Sequence, residues 1–266
     1  MINLNVFNRE VVARQVKEFA FAQSMIQQEL HGIFGAETLR DMKEILALYN
    51  IYEEGADFTI DSKSGDYVPA EHRFKIIRSI IDKEARFLFS HPPAVTLEDM
   101  EEQTRDNDGN IFNRLEANQT LIESVFKANH FNSKLVRAAK DCLVGRRIAI
   151  AVDFSEKGVD ISFMPSLEFI YETDPRDVDI TTKFIRFYST VVNEDKEQQG
   201  IYKKKWELND NGFCVITEGL YNGRGVLIEE IMPETVTQFT YIPCWVITNG
   251  GLIGDPFGKS DVEEII

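Results

Sequence analysis

Positive charge is scarce in this 266-residue chain: 44 Asp and Glu face 29 Lys and Arg, a formal net charge of −15. Such a surface repels phosphate backbones on average and argues against ordinary groove-binding of nucleic acid. Cysteine is also sparse. Cys142, Cys214 and Cys244 are far apart, odd in number and set among apolar neighbours, a pattern of buried reduced thiols, not disulfides or metal ligands. A reducing cytosol is the expected compartment. The four histidines, His31, His72, His91 and His130, share no metal-ligand spacing with one another or with a cysteine, which predicts helix-end or surface positions. Long apolar runs are missing. The most apolar, Ile148 to Val152, is far too short to span a bilayer, and the N-terminal residues lack the basic start and apolar stretch of a signal peptide. No membrane partner is expected. Internal repeats and low-complexity segments are absent too.

Apolar residues are plentiful, at 43% with 19 Phe, which is enough for a packed core and excludes disorder of the whole. The length suits one large domain or two ordinary ones. Apolar positions at three- and four-residue steps predict a helix over 9–30 (Val12, Val16, Phe19, Ile26, Leu30), punctuated by Gly32 and Gly35. A second helix is expected over 38–49, with Leu39, Met42, Leu46 and Tyr49 on one stripe. Phe58 to Ile60 reads as a short strand in a loop holding Gly55 and Gly65. The helix expected over 71–89 is apolar on two faces: Phe74, Ile77, Ile81 and Leu88 on one, Ile76, Ile80 and Phe87 on the other. A helix of that kind sits between partners. Pro92 and Pro93 end it. After an acidic loop, 111–128 and 133–143 read as a helix pair, with Gly145 as its stop.

From Arg146 the period changes to two, with Ile148, Ile150 and Val152 and then Val159, Ile161 and Phe163 alternating. Further strands are expected over 183–192, 201–208, 213–220, 226–231 and 242–248. Asp174-Pro175 marks a turn; Asn211-Gly212 and Asn222-Gly223 are hairpin signals. Helices first and strands later define an α+β fold: N-terminal helices, then a mixed, largely antiparallel β region. The boundaries read 1–145 for the helical portion, 146–259 for the β-rich portion and 260–266 for the start of a further helix.

Little in the sequence resembles catalytic machinery. Gly258-Lys259-Ser260 after a strand and a glycine-rich loop has the context of a phosphate-binding P-loop. That motif needs a glycine five positions before Gly258, however, and Ile253 stands there, with Gly254 one residue too late. A nucleotide-dependent enzyme using the loop from Gly254 to Ser260 is the alternative this leaves open. Asp106, Asp108 and Gly109 suggest a calcium loop, but Thr104 and Leu115 would fill the first and twelfth positions, where oxygen ligands are needed. Ser124-Val-Phe-Lys127 fits a Ser-x-x-Lys pattern without its partner motifs. Neither a Gly-x-Ser-x-Gly elbow nor a His-Glu-x-x-His pair occurs. Catalytic, cofactor-binding and metal residues are therefore expected to be none. Among the cations, Arg146-Arg147 opens the first long strand, and Lys203-Lys204-Lys205 precedes Trp206 in another. A lysine run in a strand protects an exposed edge, with nucleic-acid contact as the alternative. Ser260-Asp-Val-Glu263 is a capping box, in which the Ser hydroxyl accepts from the Glu263 backbone and the Glu side chain reaches back. Only three residues follow, and so short a helix is unstable alone, which predicts that the natural chain continues.

Four segments together resemble the portal proteins of tailed bacteriophages. They are Tyr49-Asn-Ile-Tyr52-Glu-Glu-Gly55; Ile80 to Pro92; Ala138 to Val152 with Gly158 to Tyr171 through Met164-Pro165; and Ile242-Pro243 through Asn249 to Gly258-Lys-Ser260-Asp261-Val-Glu263. Ile185-Arg186-Phe-Tyr188 is a smaller match. The resemblance implies a non-enzymatic, structural subunit of a ring, commonly twelve-fold, at one capsid vertex. Its partners would be other copies of the subunit, terminase, capsid or scaffold and neck proteins. Double-stranded DNA would pass through without sequence-specific binding. The expected locations are the virion and, during assembly, the bacterial host cytoplasm. The matched part would be the outer wing, with residues 260–266 opening a truncated stem helix. An unrelated interaction domain is the remaining alternative.

Overall fold

The computed structural model describes residues 32–55, 76–91, 93–97, 103–105, 111–155, 158–174, 176–193, 198–222, 225–252 and 255–265. The helix expected over 9–30, the strand at Phe58 and most of the acidic loop lie outside these residues. Helix α1 runs Gly32–Glu54 and α2 runs Ile76–Leu88. A two-stranded ribbon, β1 Gln103–Arg105 and β2 Ile111–Asn113, precedes the helix pair α3 Arg114–Ala128 and α4 Phe131–Gly145. Strands β3 Arg147–Ser155 and β4 Gly158–Pro165 lead through a short 3₁₀ turn, Ser166–Glu168, into β5 Phe169–Asp174. Then come β6 Asp177–Asn193, β7 Gln198–Leu208, β8 Cys214–Tyr221, β9 Leu227–Val236, β10 Cys244–Thr248 and α5 Asp261–Ile265.

Helices and antiparallel strands thus follow one another in the α+β order that the change of period predicted. Strands β5 to β9 form a five-stranded meander. β10 crosses back to pair with β3, Cys244 opposite Ala151 and Thr248 opposite Arg147, giving a three-stranded sheet β10-β3-β4. One face of the meander packs on helices: Ile185, Phe187 and Ile201 meet Met42 and Ile45 of α1, Ile77 and Ile81 of α2, and Leu143 and Val144 of α4. Its other face meets the small sheet, where Phe169, Phe184 and Trp206 lie over Ala149, Ala151 and Met164. Phe184 stacks on Phe169 at 5.3 Å and meets Trp206 edge-on at 5.8 Å, contacts worth about 0.5–1.5 kcal/mol each beyond area burial. Because alternate residues of β6 point to opposite faces, Phe184 and Ile185 serve different cores.

Several expectations are corrected. Gly32 and Gly35 fall inside α1, which starts six residues before Thr38, and the buried stripe is Met42, Ile45, Leu48, Tyr49 and Tyr52. Only one face of α2 is covered: Ile77, Ile81 and Ala85 are buried, while Ile76, Ile80, Phe87 and Leu88 are exposed. Residues Ile111–Asn113 form β2, not a helix turn, because they pair with β1. On β3 the buried apolar positions facing the meander are the small residues Ala149 and Ala151, which let the small sheet approach it closely. The two loop asparagines that matter are Asn209 and Asn222, each five residues before the next strand begins. Each side chain accepts a backbone N–H across the turn, from Phe213 and from Val226 at 3.0 Å, and Gly212 and Gly225 supply the positive φ. The lysine run also moves. β7 is the central strand of the meander, not an edge.

Candidate functional site

Helix α4 stops abruptly. Gly145 is its final helical residue, and the left-handed position after it is Arg146, at φ 69°. A non-glycine residue there costs ~1 kcal/mol or more, so something must hold it. Gly145 is required for a different reason: a Cβ on it would lie 2.9 Å from both the Ser166 and Tyr49 hydroxyl oxygens. The Ser166 hydroxyl, fully buried, sits 2.5 Å from the Gly145 carbonyl and also against that of Arg147.

What holds Arg146 is a ring of carboxylates. Its guanidinium donates to Asp41 at 2.7 Å, pairs with Glu44 at 3.0 Å and contacts Glu263 of α5. Burial alone would lower its pKa, but Glu263 and Asp41 outweigh that and hold it above the ordinary arginine value. Arg147 is 2% exposed and pairs with the second Asp41 oxygen at 2.5 Å. It also donates to the Phe257 carbonyl at 3.2 Å and lies over the Phe257 ring at 5.5 Å. Two buried cations thus meet on one buried carboxylate; other carboxylates and the Phe257 carbonyl engage further N–H groups, while among the described residues the Nε–H of each arginine is buried without an acceptor.

The segment after β10 closes this junction. The Asn249 backbone N–H donates to the Arg146 carbonyl at 2.7 Å, and its side chain donates to the Lys259 carbonyl and to Asp261. Gly258, at φ 69°, passes so close that a Cβ would lie 2.6 Å from the Arg146 carbonyl oxygen and 2.8 Å from that of Asn249. Ser260 is fully buried. Its hydroxyl reaches the Val144 carbonyl at 2.7 Å and Leu143 at 3.0 Å, and accepts from the Val262 N–H at 3.2 Å. The Glu263 carboxylate accepts the Ser260 N–H at 3.1 Å. The expected capping box is present with one shift: the hydroxyl serves Val262 and not Glu263. One side chain therefore satisfies orphan carbonyls at the end of α4 and an orphan N–H at the start of α5.

These bonds also bear on the P-loop reading. The Lys259 N–H is spent on the Asn249 carbonyl at 2.6 Å and the Phe257 N–H on the Asp255 carboxylate at 2.9 Å. Ser260 is spent as above. Among the described residues of the loop, these groups are engaged by the protein's own backbone and the Asp255 carboxylate; Ile253 and Gly254 lie outside them.

A second polar contact lies behind the first. The Tyr49 hydroxyl donates to Asp141 at 3.1 Å, and that of Tyr52 to Asp82 at 2.8 Å. Burial pushes the Asp141 carboxyl up to about 6 against the smaller opposing effects of Tyr49 and Lys140. Asp82 lies below its ordinary value because Lys140, 2.7 Å away, and Tyr52 outweigh its partial burial.

The other singled-out residues stay apart from this junction. Lys204 pairs with Asp153 at 2.7 Å and lies over Trp206, Lys205 pairs with Glu207 at 3.0 Å, and Lys203 lies over Tyr221. Carboxylates of β3 and of β7 itself, with the Trp206 and Tyr221 rings, engage the three lysines. Ser124 bonds back to the Leu121 carbonyl at 2.7 Å inside α3. His130 links α3 and α4 at φ 50°, a helix-end residue as expected, and His91 lies beside Ser90; His31 and His72 are outside the described residues. Asp106 and Asp108 are outside them too, and among the described residues no group of three His, Cys, Asp or Glu is placed to hold a metal. All three cysteines are free, Cys214 and Cys244 buried, and burial pushes the Cys142 thiol up to about 11. Among the described residues no helix is long and apolar enough to cross a membrane.

Asp41, Glu44, Asp141 and Ser166 were missed by the sequence reading. One signal was available: Asp41 interrupts the stripe Thr38, Met42, Ile45, and a carboxylate at a core position requires a buried cation. The segments that carry the portal resemblance converge here. The passage from α4 into β3 and the run from Asn249 to Glu263 meet at Arg146 and Arg147, Tyr49 packs beside Gly145, and Tyr52 and the α2 helix join through Asp82, which pairs with Lys140 of α4.

The architecture and this junction define an α+β protein whose motif residues are tied to one another. The sequence model described as "Phage portal protein, SPP1 Gp6-like" matches residues 33–215, and the chain belongs to that family, a structural and non-enzymatic one. The matched span holds Asp41, Arg146 and Arg147; the run from Ile242 to Glu263 lies beyond it. No curated protein matches the chain.

Proposed function

We propose that this chain is a subunit of the portal ring at one capsid vertex, serving DNA packaging and ejection. The family match over residues 33–215 carries the reading. In it the helical portion to Gly145 and the β-rich portion over 146–259 make the wing, and α5 opens the stem helix. Copies of the subunit form the ring, commonly of twelve. Terminase, capsid or scaffold and neck proteins bind the rest of the assembly. Double-stranded DNA passes through without sequence-specific binding, and a net charge of −15 suits weak adhesion to phosphate. The chain works in the virion and assembles in the host cytoplasm. The nucleotide alternative has no geometry in its favour, because the described loop spends its donors internally.

Gold-labelled antibody against the chain, applied to opened particles, tests the reading. One labelled vertex per particle is the expected result. Label on many vertices, or on none, would overturn it.

A further inference from the structure

Two exposed apolar faces lie in different layers of the molecule and carry opposite charge. On α2, Ile76, Ile80 and Phe87 are 58%, 41% and 84% exposed. With Lys83 they form one stripe at four-, three- and four-residue steps, and exposed Arg86 stands beside it. Among the described residues neither Lys83 nor Arg86 makes an ion pair. Strand β9 is the other face. It is an edge of the meander, held by β8 alone, with Leu227, Ile228 and Ile231 at 47%, 40% and 47% exposure. Glu229, Glu230 and Glu234 are exposed along the same strand. These glutamates, Pro233 and the breaks in register along β9 guard the edge against pairing with another strand, while its apolar side chains stay exposed.

We propose that β9 of one copy of this chain docks on the α2 stripe of the next copy. The inference rests on the portal reading and names the surfaces through which neighbouring subunits meet. Charge selects this pairing. β9 against β9 would oppose glutamates, and α2 against α2 would oppose Lys83 and Arg86, whereas β9 against α2 joins apolar to apolar and anion to cation. DNA would suit the cations of α2 and be repelled by β9. A contact between two different patches repeats head to tail and closes into a ring when the rotation allows.

Disulfide trapping in the full chain tests the contact. Lys83→Cys combined with Glu230→Cys is expected to give a ladder of covalent oligomers on mild oxidation. Each single substitution should give no more than the wild-type background. A covalent dimer from Lys83→Cys alone would mean a symmetric contact and overturn the proposal, as would absence of the ladder from the double variant. Absence alongside single-vertex labelling would sink this contact and leave the portal reading standing. A second arm uses charge. Lys83→Glu with Arg86→Glu, and separately Glu229→Lys with Glu230→Lys, should each weaken association at least ~10-fold by sedimentation equilibrium. An equimolar mixture of the two should recover it; association unchanged in either, or no recovery, counts against the pairing.

Discussion

Arg146 and Arg147 share one carboxylate, and the sharing makes Asp41 the residue on which the junction depends. Glu44 and Glu263 can still hold Arg146 if Asp41 is lost, but Arg147 keeps only a carbonyl and a ring. Asp41→Ala should therefore cost about 3–5 kcal/mol, the price of a stranded buried charge, read as a lowered urea midpoint. A loss below ~1 kcal/mol would show that water reaches Arg147. Asp141 predicts the opposite sign. Its folded pKa of about 6 lies above the unfolded carboxylate value, so the protonated form is favoured in the fold. Its contribution to stability is full below pH ~4 and is lost as pH rises through about 6. Asp141→Asn should then stabilise the protein by roughly 1–2 kcal/mol at pH 7.5 and flatten the pH dependence of the melting temperature between pH 4 and 6. An unchanged profile would refute the assignment. The sequence displayed both arginines plainly, but not their partners. Asp41 and Glu263 stand 105 and 117 residues from Arg146, and pairing over such distances leaves no local pattern.

At the scale of elements, the turn into α5 contrasts with the hairpin between β7 and β8. Gly258 and Gly212 both have positive φ, 69° and 78°, but only Gly258 is crowded. Gly212→Ala should cost about 1 kcal/mol, from the left-handed backbone alone. Gly258→Ala should cost at least ~1–2 kcal/mol more, because two carbonyl oxygens must move aside. Thermal unfolding of the two variants side by side checks the difference; equal losses would show that the turn yields. Element types were largely legible, because period-two alternation in β4, β6 and β7 and three-to-four spacing in α1, α2 and α4 survive in the fold. Places in the sheet were not. Lys203 to Lys205 read as an edge guard, yet β7 is central, and the acids that neutralise it come from β3, β8 and its own strand. The loops were misread by a few residues, since Asn209 and Asn222 begin their turns where the Asn-Gly pairs suggested tight two-residue ones.

Across the whole molecule, the meander is common to both cores. Helices cover one of its faces and the small sheet the other, so neither core survives loss of the sheet. Trp206 is 1% exposed between the sheets, while Trp245 is 49% exposed on β10. In Trp245→Phe, fluorescence follows Trp206 alone and far-UV circular dichroism follows the helices. The two urea midpoints should coincide. Separate midpoints would show that the layers unfold independently.

The junction also imposes an order in time. Asp41 precedes both arginines by more than a hundred residues, and Glu263 and the Ser260 hydroxyl follow them by a similar distance. During synthesis α1 and α4 can meet early and bring Asp41 to both cations. The carbonyls at the end of α4 nevertheless remain open to water until the β region has been made and β10 has returned beside β3. Closing so long a loop is slow relative to forming any one hairpin. Folding of the helical layer is thereby held reversible until the strands are in place.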